Sequence, residues 1–114
     1  MVLIVIILLF SFSFSSPFEN VTVLDMESRS EMKKYMKMIS KDLGVKCSYC
    51  HDMDDKSLDN PIKVITREMI ILTRQINSYL NDINENSEEE SIVSVTCWTC
   101  HKGSPHVEET RPKE

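Results

Sequence analysis

Every cysteine of this chain falls in one of two copies of a five-residue pattern, Cys47-Ser48-Tyr49-Cys50-His51 and Cys97-Trp98-Thr99-Cys100-His101. Both read C-x-x-C-H, the attachment pattern of a c-type haem. Two thiols at that spacing can each form a thioether with one vinyl group of a single porphyrin, and the next histidine then falls beneath the iron as its proximal ligand. A chain so committed must fold around two flat, apolar, covalently held groups. Two copies with no cysteine left over make a far stronger signal than one.

Competing chemistries explain less of the pattern. A zinc ribbon also uses paired cysteines, but the pairs stand roughly 15–20 residues apart, and Cys50 and Cys97 are much farther apart than that. Two disulfides, or a thioredoxin-like C-x-x-C, would leave the histidine after each pair without a role. Cys47, Cys50, Cys97 and Cys100 are therefore read as thioether donors to two covalently bound haem c groups. His51 and His101 are read as the proximal ligands.

Residues 2–10 are unbroken apolar, a stretch of Phe and Ser leads to Pro17, and no charge precedes Glu19. This has the length of a signal-peptide core and falls short of the roughly 20 apolar residues of a spanning helix. The expectation is an exported, periplasmic or extracytoplasmic protein, with residues 1–16 as signal peptide and 17–114 as one dihaem domain. Because the segment before the apolar run carries no Lys or Arg, retention of residues 1–16 as a membrane anchor is the other expectation. A domain that small buries little apolar surface unaided, and two porphyrins would complete its core. The formal net charge of −5 argues against nucleic acid as a partner and for docking on basic redox proteins.

Hydrophobic periodicity predicts an all-α fold with little regular β structure. Ser28-Arg29-Ser30-Glu31 has the form of a capping box, Met32, Tyr35, Met36, Ile39 and Leu43 share a helical face, and Gly44 stands at the C-cap position. The first helix is placed at 29–43. Asn60-Pro61 marks a second start, and Ile62, Ile65, Met69, Leu72, Ile76, Tyr79 and Ile83 predict a longer helix over 61–82. The acidic stretch 52–59 lacks the glycine and glutamate of a calcium loop and reads as a solvated linker. Glu88, Glu89 and Glu90 read as a solvated tip, 92–96 as extended, and the tail from Gly103 as loosely ordered. Each half is thus a helix bearing methionine, a loop, and then Val-x-C-x-x-C-H, with Val45 and Val95 matched.

The second axial ligand of each iron separates an electron carrier from a catalyst. His106 is the one spare histidine, so two bis-histidine haems cannot be built from this chain. Met32, Met36, Met38 and Met69 are available on helices. Met36 shares the face of Met32, Tyr35 and Ile39, whereas Met38 points about 160° away from it. Packing in the core remains the competing role for any such methionine.

The run from Met36 to His51 resembles the M-x-x-I-x-x-x-L-G-V-x-C-x-[YF]-C-H stretch of the cytochrome c subunit of photosynthetic reaction centres. Residues 66–77 and 95–103 resemble the same family's A-R-x-M-x-x-M-x-x-x-I-N and V-T-C-Y-T-C-H-R-G segments, with Thr66 and Leu72 where that pattern has Ala and Met. The resemblance covers about 32–104. It implies that a methionine on the helix preceding the attachment motif is the distal ligand, which falls on Met36 for the first haem and Met69 for the second. The family subunit carries four haems, and this chain, with motifs for two, resembles one half of it.

The expectation is a small dihaem c-type cytochrome, two helix–loop–C-x-x-C-H units that carry single electrons between redox partners, membrane-bound ones included, rather than an enzyme. Tyr49 and Trp98 are expected to pack near haem edges. Two other expectations are a haem enzyme or small-ligand binder with one open iron, and a subunit of a larger multihaem assembly.

Overall fold

A computed structural model describes residues 18–87 and 94–108. In chain order these form helix α1 (Arg29–Leu43), a 3₁₀ turn (Cys47–Tyr49), helix α2 (Pro61–Glu85) and a short helix α3 (Cys97–His101). Among the described residues there is no strand, and the all-α expectation holds. Residues 1–17, 88–93 and 109–114, and with them the leader and the glutamate tip, lie outside the described residues.

α1 begins and ends where its caps require. The Ser28 hydroxyl accepts the Glu31 N–H at 3.1 Å, and Glu31 reaches back to the backbone N–H of Glu27 at 3.2 Å. That return bond lands one residue before the one a standard capping box uses. At the other end Gly44 turns left-handed (φ 63°), and its N–H bonds Lys41 O at 3.3 Å. α2 starts at Asn60, whose side chain accepts the Lys63 N–H at 2.9 Å ahead of Pro61. It runs to Glu85, beyond the expected end at 82, because Ile83 and Asn84 keep helical geometry and the Asn86 amide covers the Asp82 carbonyl at 2.6 Å.

The described chain buries very little. Ile39, Leu43 and Ile70 form the core, with Val23, Leu24, Tyr35, Val45 and Cys97 packed against it. The apolar stripe expected to seat α2 instead lies open along Ile65, Met69, Leu72, Ile76 and Tyr79, and the face through Thr66, Ile70 and Asn77 turns inward. An open apolar stripe of that length marks a surface that a ligand or a partner covers.

The C-terminal ends of α1 and α3 meet backbone to backbone. Gly103 N–H donates to Asp42 O at 2.9 Å, and a Cβ on Gly44 would collide with the Gly103 carbonyl oxygen. Gly103 is itself left-handed (φ 84°), with the Trp98 ring beside it. The two attachment motifs are thereby tied to each other, and the beginning of the tail is held in place. The N-terminal stretch is fastened along α2, since Arg74 donates to Val23 O and Arg67 to Asn20 O.

Candidate functional site

Each attachment motif is held by an asparagine of α2. For the first, the Asn60 side-chain amide donates to Cys50 O at 2.8 Å while its oxygen caps the helix. For the second, Asn77 makes a two-way clamp on Val95, accepting its N–H at 2.7 Å and donating to its carbonyl at 2.9 Å. One helix therefore positions both motifs. Asn77 lies inside the run matched to the family pattern, yet sequence reading gave it no role. A mid-helix asparagine is a poor helix former that often signals a side chain engaged with backbone elsewhere.

The motifs differ locally. Cys47–Tyr49 form a 3₁₀ turn, closed by His51 N–H on Cys47 O at 3.0 Å. Cys97–His101 form a helical turn, entered from Thr96 in the extended conformation expected there and begun by the Thr99 hydroxyl accepting the Thr96 N–H at 2.9 Å.

The histidines nevertheless reach one electronic arrangement. His51 Nδ1 lies 3.2 Å from Lys56 O, and His101 Nδ1 lies 2.9 Å from Ser104 O. A carbonyl can only accept, so each bond requires the proton on Nδ1, and in the neutral imidazole Nε2 then keeps its lone pair. That is the tautomer a metal-binding imidazole needs, with its ring oriented by the backbone.

Two cavities adjoin the motifs. The first, about 580 Å³, is lined by Cys47, Cys50 and His51 and faced by Met32 and Met36 of α1. This is within the range of cofactor sites, roughly 300–1,000 Å³. The second, about 230 Å³, is lined by Cys97, His101, Met69 and His106, and also by Tyr49 of the first motif. Its α2 wall includes the exposed Ile65 and Met69. Ile39, Thr66 and Ile70 line both cavities, so a shared apolar wall separates them.

The four methionines considered are thereby sorted. Met36 is half-buried in the first cavity and Met32 lines it one turn away, whereas Met38 is 42% exposed and lines neither. Met69 is 42% exposed and lines the second cavity. Of the two motif aromatics, Tyr49 borders the second cavity and Trp98, half exposed, packs beside Gly103.

No disulfide joins any of the four cysteines. Burial, reinforced by the Asp42 carboxylate, pushes the Cys97 thiol up. Among the described residues no three or more of His, Cys, Asp and Glu stand together to hold a metal ion. The donor sets are instead two separate C-x-x-C-H motifs, each beside a cavity with a methionine on its wall. Their donor chemistry is that of possible haem c attachment sites, one in each half.

The sequence profile described as "Photosynthetic reaction centre cytochrome C subunit" matches residues 12–112. The chain belongs to the photosynthetic reaction centre cytochrome c subunit family. Within this family it is 30% identical over 90 residues to the photosynthetic reaction center cytochrome c subunit of Rubrivivax gelatinosus, covering 77% of this chain and 23% of that protein. It is 34% identical over 89 residues to cytochrome c-554 of Chloroflexus aurantiacus, covering 76% and 21%. Against the reaction center cytochrome c subunit of Thermochromatium tepidum it is 34% identical over 94 residues, covering 80% and 22%. The chain thus spans less than a quarter of the length of these relatives. No solved structure gives a significant match. Family and fold are consistent with a c-type cytochrome, and among the described residues no helix is long and apolar enough to cross a membrane.

Proposed function

We propose that the chain is an exported dihaem cytochrome c that passes single electrons between redox proteins of the periplasm, membrane-bound ones included. Cys47 and Cys50 hold the first haem and Cys97 and Cys100 the second. His51 and His101 are the proximal ligands, Met36 and Met69 the distal ones. The observation that carries this reading is the matched pair of histidine Nδ1–carbonyl bonds, each leaving Nε2 free in a motif whose cavity also has a methionine on its wall. A bound haem supplies a one-electron iron couple, and a Met/His ligand pair raises its potential relative to two histidines.

The chain's own residues do the rest. Lys56 O and Ser104 O fix the two imidazoles. Asn60 and Asn77 hold the segments that carry the thiols. Ile39 and Ile70 line both cavities and set an apolar wall between them. The chain would be expressed with haem-maturation machinery and examined by redox titration. Met36→Ala and Met69→Ala are each expected to lower the potential of one haem and remove its sulphur-to-iron charge-transfer absorption. Unchanged potentials and spectra in both variants would refute the ligand assignment.

A second reading concerns the second iron alone. The exposure of Met69 and the presence of His106 in the same cavity favour an iron whose distal position exchanges, as in a small-ligand-binding haem. Carbon monoxide binding to the reduced wild-type protein, with loss of the Met69-dependent absorption, would support it.

A further inference from the structure

The two cavities differ sharply in charge. Among the described residues the second has no Lys, Arg, Asp or Glu in its lining. The first is lined by Arg29, Lys46, Lys56, Lys63 and Arg67 against the carboxylates of Glu19 and Asp55.

Position separates these cations. Lys63 and Arg67 both pair with Asp59, at 3.4 and 2.8 Å. Lys46 adjoins Cys47 and Lys56 belongs to the loop that orients His51, so both stand close to the motif. Arg29 stands at the opposite end. It opens α1, whereas the cysteines lie beyond the helix's C-terminal cap at Gly44. Arg29 and Met36 are seven residues apart, on the same helical face and about 10 Å along the axis. The residue order along the cavity is therefore Arg29, Met32, Met36 and then the thiols. A porphyrin held by its vinyl edge carries its two propionates on the opposite edge. Arg29 forms no ion pair with any described residue; the ion pairs there involve Lys63 and Arg67.

We propose that Arg29 is the cationic partner of the first haem's propionates, and that it makes the first haem the higher-potential one of the pair. This rests on the dihaem reading above. A guanidinium at the propionates offsets their negative charge and so favours the ferrous state, which bears one positive charge fewer than the ferric. Among the described residues the second cavity has no such cation in its lining, so an electron shared by the two irons rests on the first. Arg29 acts through the propionates and is a positioning residue.

The test is a redox titration of the mature protein followed by optical spectra, with the first-haem component identified through Met36→Ala. Arg29→Gln is expected to lower that component alone, changing its reduced-to-oxidised ratio at fixed potential by about tenfold, the equivalent of about 59 mV for one electron. Arg29→Lys is expected to restore most of the shift. Lys37→Gln, which removes a charge from a residue outside both cavities, is expected to leave both potentials in place. No shift in Arg29→Gln, or an equal shift in both components, would overturn the proposal while the dihaem reading stood. A mature wild-type chain without two haems would overturn that reading and this proposal together.

Discussion

An imidazole that is to bind iron through Nε2 needs its proton on Nδ1, and in this chain the backbone makes that choice twice. Lys56 O and Ser104 O accept the Nδ1–H bonds although one motif is a 3₁₀ turn and the other a helical turn. The five-residue pattern was legible in the sequence, but these acceptors were not, since they arise from the turns that follow each motif. Gly44 is a second residue-scale case. A C-cap glycine was expected there, and its φ of 63° agrees, but its contact with Gly103 is tertiary and leaves no local trace. Gly44→Ala is expected to lose about 1–3 kcal/mol through the left-handed backbone and the collision with Gly103 O; thermal unfolding measures it. Asp59 offers a pH test. Hydrogen bonds from Arg67 first, and then from Lys63 and Asn20, hold its carboxyl at about 2, below its ordinary 3.8. The unfolded chain therefore takes up its proton first as pH falls. The contribution of Asp59 is complete above pH 3.8 and disappears as pH drops through about 2. Asp59→Asn should flatten stability against pH in that window, as measured by denaturant titration.

At the scale of elements, α1 and the start of α2 were legible because their caps are local: Ser28, Gly44, Asn60 and Pro61 act within a few residues. The end of α2 was set three residues early because an Asn-rich polar stretch reads as loop, whereas Asn86 bonds back to Asp82 O and ends the helix later. The helical second motif went unforeseen because Thr99, rather than Glu or Gln, occupies the third position after Thr96. The face of α2 is the instructive difference. Periodicity identified the stripe through Met69 but could not say whether protein or porphyrin covers it, and the described chain leaves it open. The Asn77 clamp belongs to this scale too. Asn77→Ala strands the Val95 N–H and carbonyl, and is expected to destabilise the region by about 1–3 kcal/mol. Hydrogen exchange should show faster opening around 94–101, with the first motif protected as before.

For the molecule as a whole, the decisive quantity is how little it buries by itself. Ile39, Leu43 and Ile70 are the buried apolar residues among those described, while the α2 stripe stays open. That core is too small to hold a domain together. The chain made without haem is accordingly expected to show no cooperative thermal transition, and the mature protein a sharp one, as read by circular dichroism. The central claim is that each C-x-x-C-H carries a haem. A pyridine haemochrome assay combined with intact mass tests it most directly on the chain matured with export. The account predicts two covalent haems per chain. One haem, or none, would contradict it.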